Sequence, residues 1–480
     1  TTKLRPHNVK NHYSAIIHYQ TINNLKRLEN SHSKNITGSR TRLMLSYGLG
    51  DAGTGLANAQ FGFYLFPFFT CAAGLPPWIA SSILMTIKLW DAINDPLIGW
   101  MSDHTQSRWG PRLPWMIGAS LPLGIFLAAM WWIPNEYSVK EKTFYYIITS
   151  ILYMTAYTSV NLPYGALATE ISEDENIRTR LNAARFTGSI LASLSGLTVG
   201  AICLTKGDIG YLTMGRISGT IVALITLLST WGLAPFAKIA RKPINKIQPV
   251  KNQLKRILRN RIFRKVIYLY LLLWCGLQLM QTVSLIYLQQ VMNVPRGISF
   301  WIIIPFQISA LLGLQVWSFY SNRYGRVKAL KIGGFIWIGG CLIAMILPPL
   351  SNNFEINNFN IDSIKMLILF LTILFVGFGA STAYLIPWSL LPDAIDHDPE
   401  KAAGVYTAWM VLCQKLGIAL SVGLFGYLLT LTGFKEAACQ GIIDITQPDS
   451  ALITVRICMG LIPSILVYWG LLIMRKWDQE

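Results

Sequence analysis

Apolar runs of about 20 residues recur along nearly the whole chain, and each is long enough to cross the roughly 30 Å hydrocarbon layer of a bilayer. Only 13% of the 480 residues are charged, whereas soluble domains carry about 25%. The sequence therefore predicts an all-α polytopic membrane protein with about twelve transmembrane helices. The predicted spans lie near residues 43–73, 78–101, 113–133, 143–169, 181–204, 216–237, 265–291, 298–320, 327–348, 365–391, 403–430 and 452–474.

The formal charge of +18 is concentrated in a few segments between these spans. Basic residues crowd the N-terminal tail and a central linker that has no acidic residue between positions 238 and 265. Two short turns, at Arg108/Arg112 and Arg323/Arg326, fall on the same side. The positive-inside rule then predicts an integral, multi-pass protein of the inner or plasma membrane, with both termini in the cytoplasm. Because topology accounts for the charge, we expect no nucleic acid partner.

The basic linker divides the spans six and six, which is the outline of a transporter built from two repeated halves. We predict a cytoplasmic tail at 1–42, an N-terminal six-helix bundle at 43–237, a basic cytoplasmic linker at 238–264 and a C-terminal six-helix bundle at 265–480. Local echoes support the repeat. The turn at 99–112 is answered at 318–326, and the proline segment at 161–167 is answered at 386–391.

Cysteine spacing predicts neither a disulfide framework nor a metal site. Six of the seven cysteines lie in or at the edge of apolar runs, and Cys439 lies alone in a loop on the outer side. We expect no cofactor apart from a coupling cation.

Six ionisable residues lie inside predicted spans, where a charge at the bilayer centre costs roughly 2.5 to 3.5 kcal/mol on insertion scales. They are therefore functional candidates, and they are Asp51, Lys88, Asp91, Asp95, Arg185 and Lys415.

Asp91 and Asp95 share one helix face, because residues four apart lie one turn from each other. Two such carboxylates in lipid-buried protein cannot both stay ionised unless a positive charge sits between them or one takes a proton. Asn94 and Thr158 would add neutral oxygens, and such a set suits sodium or lithium, with hydronium as the competitor. The alternative is a structural ion network in which Lys88 neutralises the pair.

Three segments resemble the glycoside-pentoside-hexuronide:cation symporter family, melibiose permease-like, of the major facilitator superfamily. They are WDAINDPLIGWMSDHTQSRWG at 90–110, NLPYGALATEIS with RTRLNAARF at 161–186, and PWSLLPDAIDHD with GVYTAWMVLCQKLG at 387–417. The resemblance covers about residues 43–474. It implies two pseudo-symmetric six-helix bundles that rock around a site at the membrane midplane. It also implies sodium-coupled symport of a sugar, glycoside or hexuronide-like solute.

Carried over by position, the family's cation site corresponds to Asp91, Asn94, Asp95 and Thr158. Its basic sugar-site residues correspond to Arg185 and Lys415, both of which are retained.

The sugar-site pattern is otherwise altered, because the family's two sugar-binding carboxylates fall on Gly55 and Asn161 and its stacking tryptophan falls on Gly165. Asp51, one turn before Gly55, is a candidate substitute. The expected substrate residues are therefore Asp51, Asn161, Arg185 and Lys415. This net basic set favours a solute with a carboxylate or phosphate. A sodium-coupled lysophospholipid-type transporter and a proton-coupled or facilitative carrier remain alternatives.

Charged residues in the cytoplasmic loops predict a gate. Asp393 and Asp396 after the tenth span would pair with Arg178 and Arg180 near the fifth span and close the cytoplasmic side in the outward-facing state. The alternative is a solvated charge cluster, since exposed pairs contribute only about 0 to 1 kcal/mol. No catalytic constellation occurs in the sequence, so we predict a transporter and not an enzyme. The expected partners are a small solute, a monovalent cation and membrane lipid, and we expect a monomer.

Overall fold

The computed structural model describes residues 41–171, 175–205, 207, 209–237, 259–351, 361–398, 403–439 and 446–479. The predicted N-terminal tail and most of the central linker lie outside these residues. Within them the chain is helical throughout and contains no strand. The all-α prediction is confirmed for this part of the chain.

Twelve long helices occur in the described ranges, six on each side of the linker, and each coincides with a predicted span. Helix α1 covers residues 41–67 and continues into a π-helical turn at Phe68–Ala72. In the first half it is followed by α2 (Pro77–His104), α3 (Leu113–Met130), α4 (Val139–Ile171), α5 (Glu175–Leu204) and α6 (Ile209–Ala237).

The second half repeats this pattern. It contains α7 (Arg261–Ile286) with a π-helical turn (Tyr287–Val291), α8 (Arg296–Tyr324), α9 (Arg326–Ile346), α10 (Ile361–Asp396) and α11 (Ala403–Leu431). A short helix, Glu436–Cys439, precedes α12, which is interrupted at Gly460 and comprises Asp449–Met459 and Leu461–Ile473. A 3₁₀ turn, Met474–Gln479, follows.

Nine of these helices are long and apolar enough to cross a membrane on length and composition, counted over the described residues alone. The three that fall short are α1, α2 and α4. These helices carry the polar residues that the sequence singles out, among them Asp51, Asp91, Asp95 and Thr158. Their lower hydropathy is therefore a property of the candidate site.

The turns α2–α3 and α8–α9 share a glycine in the left-handed region, with φ of +85° at Gly110 and +96° at Gly325. A residue with a Cβ is strained in this conformation, whereas glycine is not. The predicted echo between the two halves therefore has a structural basis. We call the face that carries these turns the basic face, and the other the opposite face.

Aromatic side chains join the two halves toward the opposite face. Ring centroids lie 5.7 Å apart for Phe63–Phe306 and Tyr64–Phe300, and 5.0 Å apart for Phe66–Phe425. The backbone N–H of Trp78 donates to Thr430 Oγ1 at 3.0 Å. The halves are therefore in contact, and closed against each other, at this face.

A disulfide between Cys71 and Cys439 also joins the halves at the opposite face, with Cα atoms 5.0 Å apart. The expectation of no disulfide was wrong. Cys71 lies in the π-helical turn after α1, and Cys439 ends the short helix after α11. Spacing could not reveal the pair, because 368 residues separate the two cysteines and packing between the halves brings them together.

Candidate cation and substrate site

Helix α2 carries the two central carboxylates on the face that packs against α4 and α11. Asp91 and Asn94 are buried, whereas the Asp95 side chain keeps 29% of its surface exposed. Asp91 and Asp95 are four residues apart, so their side chains lie one turn apart along the helix. Asp91 is therefore the more buried of the two carboxylates, and Asp95 is the more accessible one.

Lys415 of α11 bridges both carboxylates. Its Nζ lies 2.9 Å from Asp91 Oδ2 and 2.5 Å from Asp95 Oδ2. The lysine side chain is only 15% exposed. A cation from the second half therefore supplies the positive charge that the two aspartates of the first half require.

Thr158 of α4 also contacts both aspartates. Its Oγ1 hydroxyl lies 3.5 Å from Asp91 Oδ1 and 3.4 Å from Asp95 Oδ1, with the hydroxyl as the donor. Asn94 turns its amide N–H toward the carbonyl oxygen of Met154, also on α4, at 3.4 Å. Hydrogen bonds of this length are weak, so the Thr158 and Asn94 side chains can shift when a ligand binds. The four residues expected at a cation site are thus brought together where α2 and α4 meet.

Lys88, the predicted alternative counter-ion, is half-buried one turn before Asp91. Over the residues that the structure describes, it forms no ion pair, and Lys415 contacts both carboxylates instead. The nearest compensating charge for the aspartates is therefore on the other half of the molecule.

Asp51 and Arg185 form a second intramembrane ion pair, with Arg185 Nε 3.2 Å from Asp51 Oδ2. Thr54 Oγ1 donates to Asp51 Oδ1 at 2.9 Å, and the Arg185 guanidinium lies over the Tyr164 ring, 5.4 Å from its centroid. Tyr164 in turn donates its hydroxyl to the carbonyl oxygen of Tyr47. This network links α1, α4 and α5 and holds the guanidinium in one orientation.

Asn161 lies on the same helix as Thr158 and donates through Nδ2 to the Tyr157 hydroxyl at 3.2 Å. Asn58 donates to the same hydroxyl at 3.0 Å. The Asn161 Oδ1 atom is buried and accepts no hydrogen bond from the described residues, and such a buried acceptor is costly unless a ligand or water pairs with it.

Sequence reasoning missed Asn58 and Tyr157. Two signals were available, since Asn58 lies two turns after Asp51 on α1 and Tyr157 lies one turn before Asn161 on α4.

Gly55 and Gly165 differ in what a side chain there would meet. A Cβ on Gly55 would lie 2.5 Å from the carbonyl oxygen of Ser189, so α1 and α5 approach too closely for a carboxylate at this position. A Cβ on Gly165 would have Arg185 Nη1 as its nearest neighbour, at 3.7 Å. A small side chain would therefore fit at Gly165, in van der Waals contact with the guanidinium.

On the basic face, arginine–carboxylate pairs form within each half. Arg112 Nη2 lies 2.5 Å from Asp103 and 2.7 Å from Glu170, and Arg326 Nη2 lies 2.7 Å from Asp393 Oδ2.

The predicted gate between the halves would form in a conformation that is closed at the basic face. In this structure Asp393 pairs with Arg326 of its own half, and Arg180 is exposed. The Arg178 side chain lies outside the described part of the chain. Asp396 interacts with another residue and is therefore not unpaired. The gate therefore stays a prediction for the state that is closed at the basic face.

The Lys415–Asp91–Asp95 cluster and the Arg185–Asp51 pair together determine which charged ligands the site can accept. The six intramembrane charges sum to zero without a ligand, because three are acidic and three are basic. A monovalent cation at Asp91 and Asp95 would add one positive charge and compete with the Lys415 ammonium for the same oxygens. Lys415 could then pair with an anionic group between the halves.

A family model described as MFS/sugar transport protein matches residues 46–478. An uncharacterised symporter of Synechocystis sp. is 31% identical over 89% of this chain and 92% of that protein. The putative glycoside/cation symporter YagG of Escherichia coli is 25% identical over 90% of each chain. The sodium-dependent lysophosphatidylcholine symporter 1 of Xenopus tropicalis is 22% identical over 89% of this chain and 85% of that protein.

Solved structures show the same fold. The nucleoside transporter NupG superposes with a TM-score of 0.63 at 13% identity and covers 91% of this chain and 99% of that chain. A D-xylose-proton symporter superposes with a TM-score of 0.63 at 14% identity, over 91% of this chain and 97% of that chain. The family and these neighbours are transporters and not enzymes, and the chain belongs to the MFS/sugar transport protein family of the major facilitator superfamily.

Proposed function

We propose that this transporter is a cation-coupled symporter that uses sodium and carries a solute with an anionic group. The observation that carries the proposal is the position of the Lys415 ammonium, 2.9 and 2.5 Å from the two carboxylates of the candidate cation site. Sodium at Asp91 and Asp95, with oxygens from Asn94 and Thr158, would replace this ammonium. The released Lys415 and Arg185 would then bind the anionic group of the solute.

Charge balance supports coupling in this form. Sodium alone would leave one uncompensated positive charge in a low-dielectric site, and the anionic group of a solute would compensate this charge locally. Binding of either ligand therefore favours the other, and by linkage the two affinities rise by the same factor.

A hexuronide or acidic glycoside is the first candidate for the solute. The Asn161 Oδ1 atom and the Tyr157 hydroxyl are polar partners suited to sugar hydroxyls, and the Escherichia coli relative is named as a glycoside/cation symporter. A carboxylate on such a solute would suit the two cationic side chains, Lys415 and Arg185.

A lysophospholipid is the second candidate. Its phosphate would also suit Lys415 and Arg185, and the glycine at position 165 places no side chain beside the arginine. Relatives in four vertebrates are named as sodium-dependent lysophosphatidylcholine symporters. Proton coupling is the remaining alternative for the ion, since hydronium competes for the same oxygens.

A thermal-stability panel tests the proposal. The purified protein is heated with sugars, uronides, acidic glycosides and lysophosphatidylcholine, each with and without sodium, in choline-balanced buffer. A ligand that binds the folded state raises the unfolding temperature by mass action. We expect an anionic solute to stabilise the protein more with sodium than without it. Stabilisation by solute that is indifferent to sodium would overturn the sodium proposal, and stabilisation only by neutral sugars would overturn the anionic one.

A further inference from the structure

The Cys71–Cys439 disulfide lies at one corner of the interface between the halves. It links the end of α1 to the connection between α11 and α12. The five other cysteines, all within the described residues, form no disulfide: Cys203, Cys275, Cys341, Cys413 and Cys458. A covalent link between the halves matters in a transporter of this fold, because alternating access moves one bundle against the other.

Non-covalent contacts at the same corner are also close. Thr430 of α11 accepts a hydrogen bond from the backbone N–H of Trp78 at the start of α2. A Cβ on Gly426 would lie only 2.2 Å from Ser81 Oγ, so α2 and α11 approach very closely. The α2/α11 side of the opposite face is therefore held by a covalent bond and by tight packing.

No disulfide joins the halves on the other side of the same face, because the five other cysteines are not disulfide-bonded. There α5 approaches α8, and a Cβ on Gly297 would meet the Thr205 methyl group at 3.8 Å, an ordinary van der Waals distance. An intact disulfide keeps its Cα atoms within about 7 Å of each other, and they lie 5.0 Å apart in this closed structure. The Cα atoms of Cys71 and Cys439 can therefore separate by about 2 Å at most while the disulfide is intact.

We propose that the disulfide is a covalent hinge of the transport cycle. When the opposite face opens, the halves stay joined at the α2/α11 side and separate at the α5/α8 side, so that the solute enters through an asymmetric mouth. The inference is independent of the identity of the solute and the ion. A persistent disulfide also requires an oxidising compartment, which agrees with the prediction that the opposite face is extracytoplasmic.

The test measures the two sides separately by spin-label distances in nanodiscs. The five free cysteines are first replaced by serine or alanine. Maleimide-linked labels are then attached to cysteines introduced at Trp78 and Leu431 for the α2/α11 side, or at Ile202 and Trp301 for the α5/α8 side. All four side chains are exposed in the structure. Each pair is measured with and without sodium, in the intact protein and in Cys71→Ser/Cys439→Ser.

In the intact protein we expect a longer component only for the Ile202/Trp301 pair. Removal of the disulfide should add a longer component at Trp78/Leu431 and raise the open fraction at least about fivefold, the lower end of common conformational couplings. Cys439→Ser alone should match the double variant, because each removes the same link.

Four outcomes would overturn the hinge. The first is free thiols at Cys71 and Cys439 in the purified protein, detected by mass spectrometry after alkylation, and the second is a longer Trp78/Leu431 component in the intact protein. The third is intact protein in which neither distance lengthens under conditions that lengthen Ile202/Trp301 in the double variant. The fourth is a double variant in which Ile202/Trp301 lengthens and Trp78/Leu431 does not. If the double variant does not fold, reduction of the reconstituted protein with a water-soluble phosphine gives the comparison, since the disulfide yields two thiols as the phosphine becomes its oxide.

Discussion

Replacement of Lys415 by methionine tests whether the lysine occupies the place of the ion. The substitution keeps an unbranched side chain that is one heavy atom shorter, and it removes the ammonium that lies 2.9 and 2.5 Å from Asp91 and Asp95. At an effective dielectric constant near 20, each charge pair at about 4 Å is worth roughly 4 kcal/mol before desolvation is subtracted. The wild-type protein must break these contacts to bind sodium, whereas Lys415→Met need not.

The expected gain in sodium affinity follows from this competition. Because the lysine side chain is 15% exposed and can find other partners, we expect displacement to cost about 1.4 kcal/mol, near the low end of common couplings, which corresponds to a tenfold tighter sodium Kd. Without sodium the variant should unfold at a lower temperature than the wild type, because two buried carboxylates lose their counter-ion.

Sodium titrations followed by thermal unfolding at alkaline pH, where protons compete least, give both quantities. Lys88→Met is the matched control, since this lysine is half-buried on the same helix as the aspartates and forms no ion pair within the described residues. It should change sodium affinity less than Lys415→Met. An unchanged sodium Kd in Lys415→Met, or a larger effect of Lys88→Met, would refute the competition and return Lys88 to the role of counter-ion.

Three further predictions concern the substrate side of the site. Gly55→Asp should lower the unfolding temperature and the yield of folded protein, since its Cβ would lie 2.5 Å from the Ser189 carbonyl oxygen, whereas Gly165→Ala should be tolerated; equal stability of the two variants would contradict the packing argument. Arg185→Gln should abolish uptake of an anionic solute while sodium still stabilises the protein, because the arginine pairs with Asp51 and not with the cation-site aspartates; loss of both effects would show that the two ion pairs are not separate. Gly165→Trp should reduce solute-dependent stabilisation, because a Cβ at this position would lie 3.7 Å from Arg185 Nη1 and an indole would crowd the guanidinium; an unaltered response would remove Gly165 from the substrate site.

Much of the fold was predictable, because it depends on local composition. The lengths of the apolar runs predicted the twelve helices. The basic turns that contain Gly110 and Gly325 occupy matching places in the two halves, and this match revealed the repeat. The candidate cation site was also predictable in part. Asp91 and Asp95 are one turn apart on a single helix, so their proximity follows from helix geometry alone.

The partners of these residues were less accessible, because they depend on how the halves pack. Lys415 is 320 residues from Asp95 and lies on the other half, so spacing favoured Lys88, which is nearer in sequence. The family resemblance assigned Lys415 to the sugar, yet in this structure its ammonium contacts the cation-site aspartates. Cys71 and Cys439 remained unpaired in the prediction for the same reason.

Direct measurement of sodium binding to purified protein, wild type against Asp91→Asn and Asp95→Asn, tests whether these two aspartates bind sodium. It needs no knowledge of the solute. Calorimetric titration with sodium chloride, against a choline chloride reference, measures the affinity and the number of sodium sites. We predict a single saturable sodium site in the wild type and its loss in both variants, with thermal stability and monodispersity preserved. Sodium binding of wild-type affinity in either variant, or no saturable sodium binding in the wild type, would contradict the assignment of the cation site to Asp91 and Asp95.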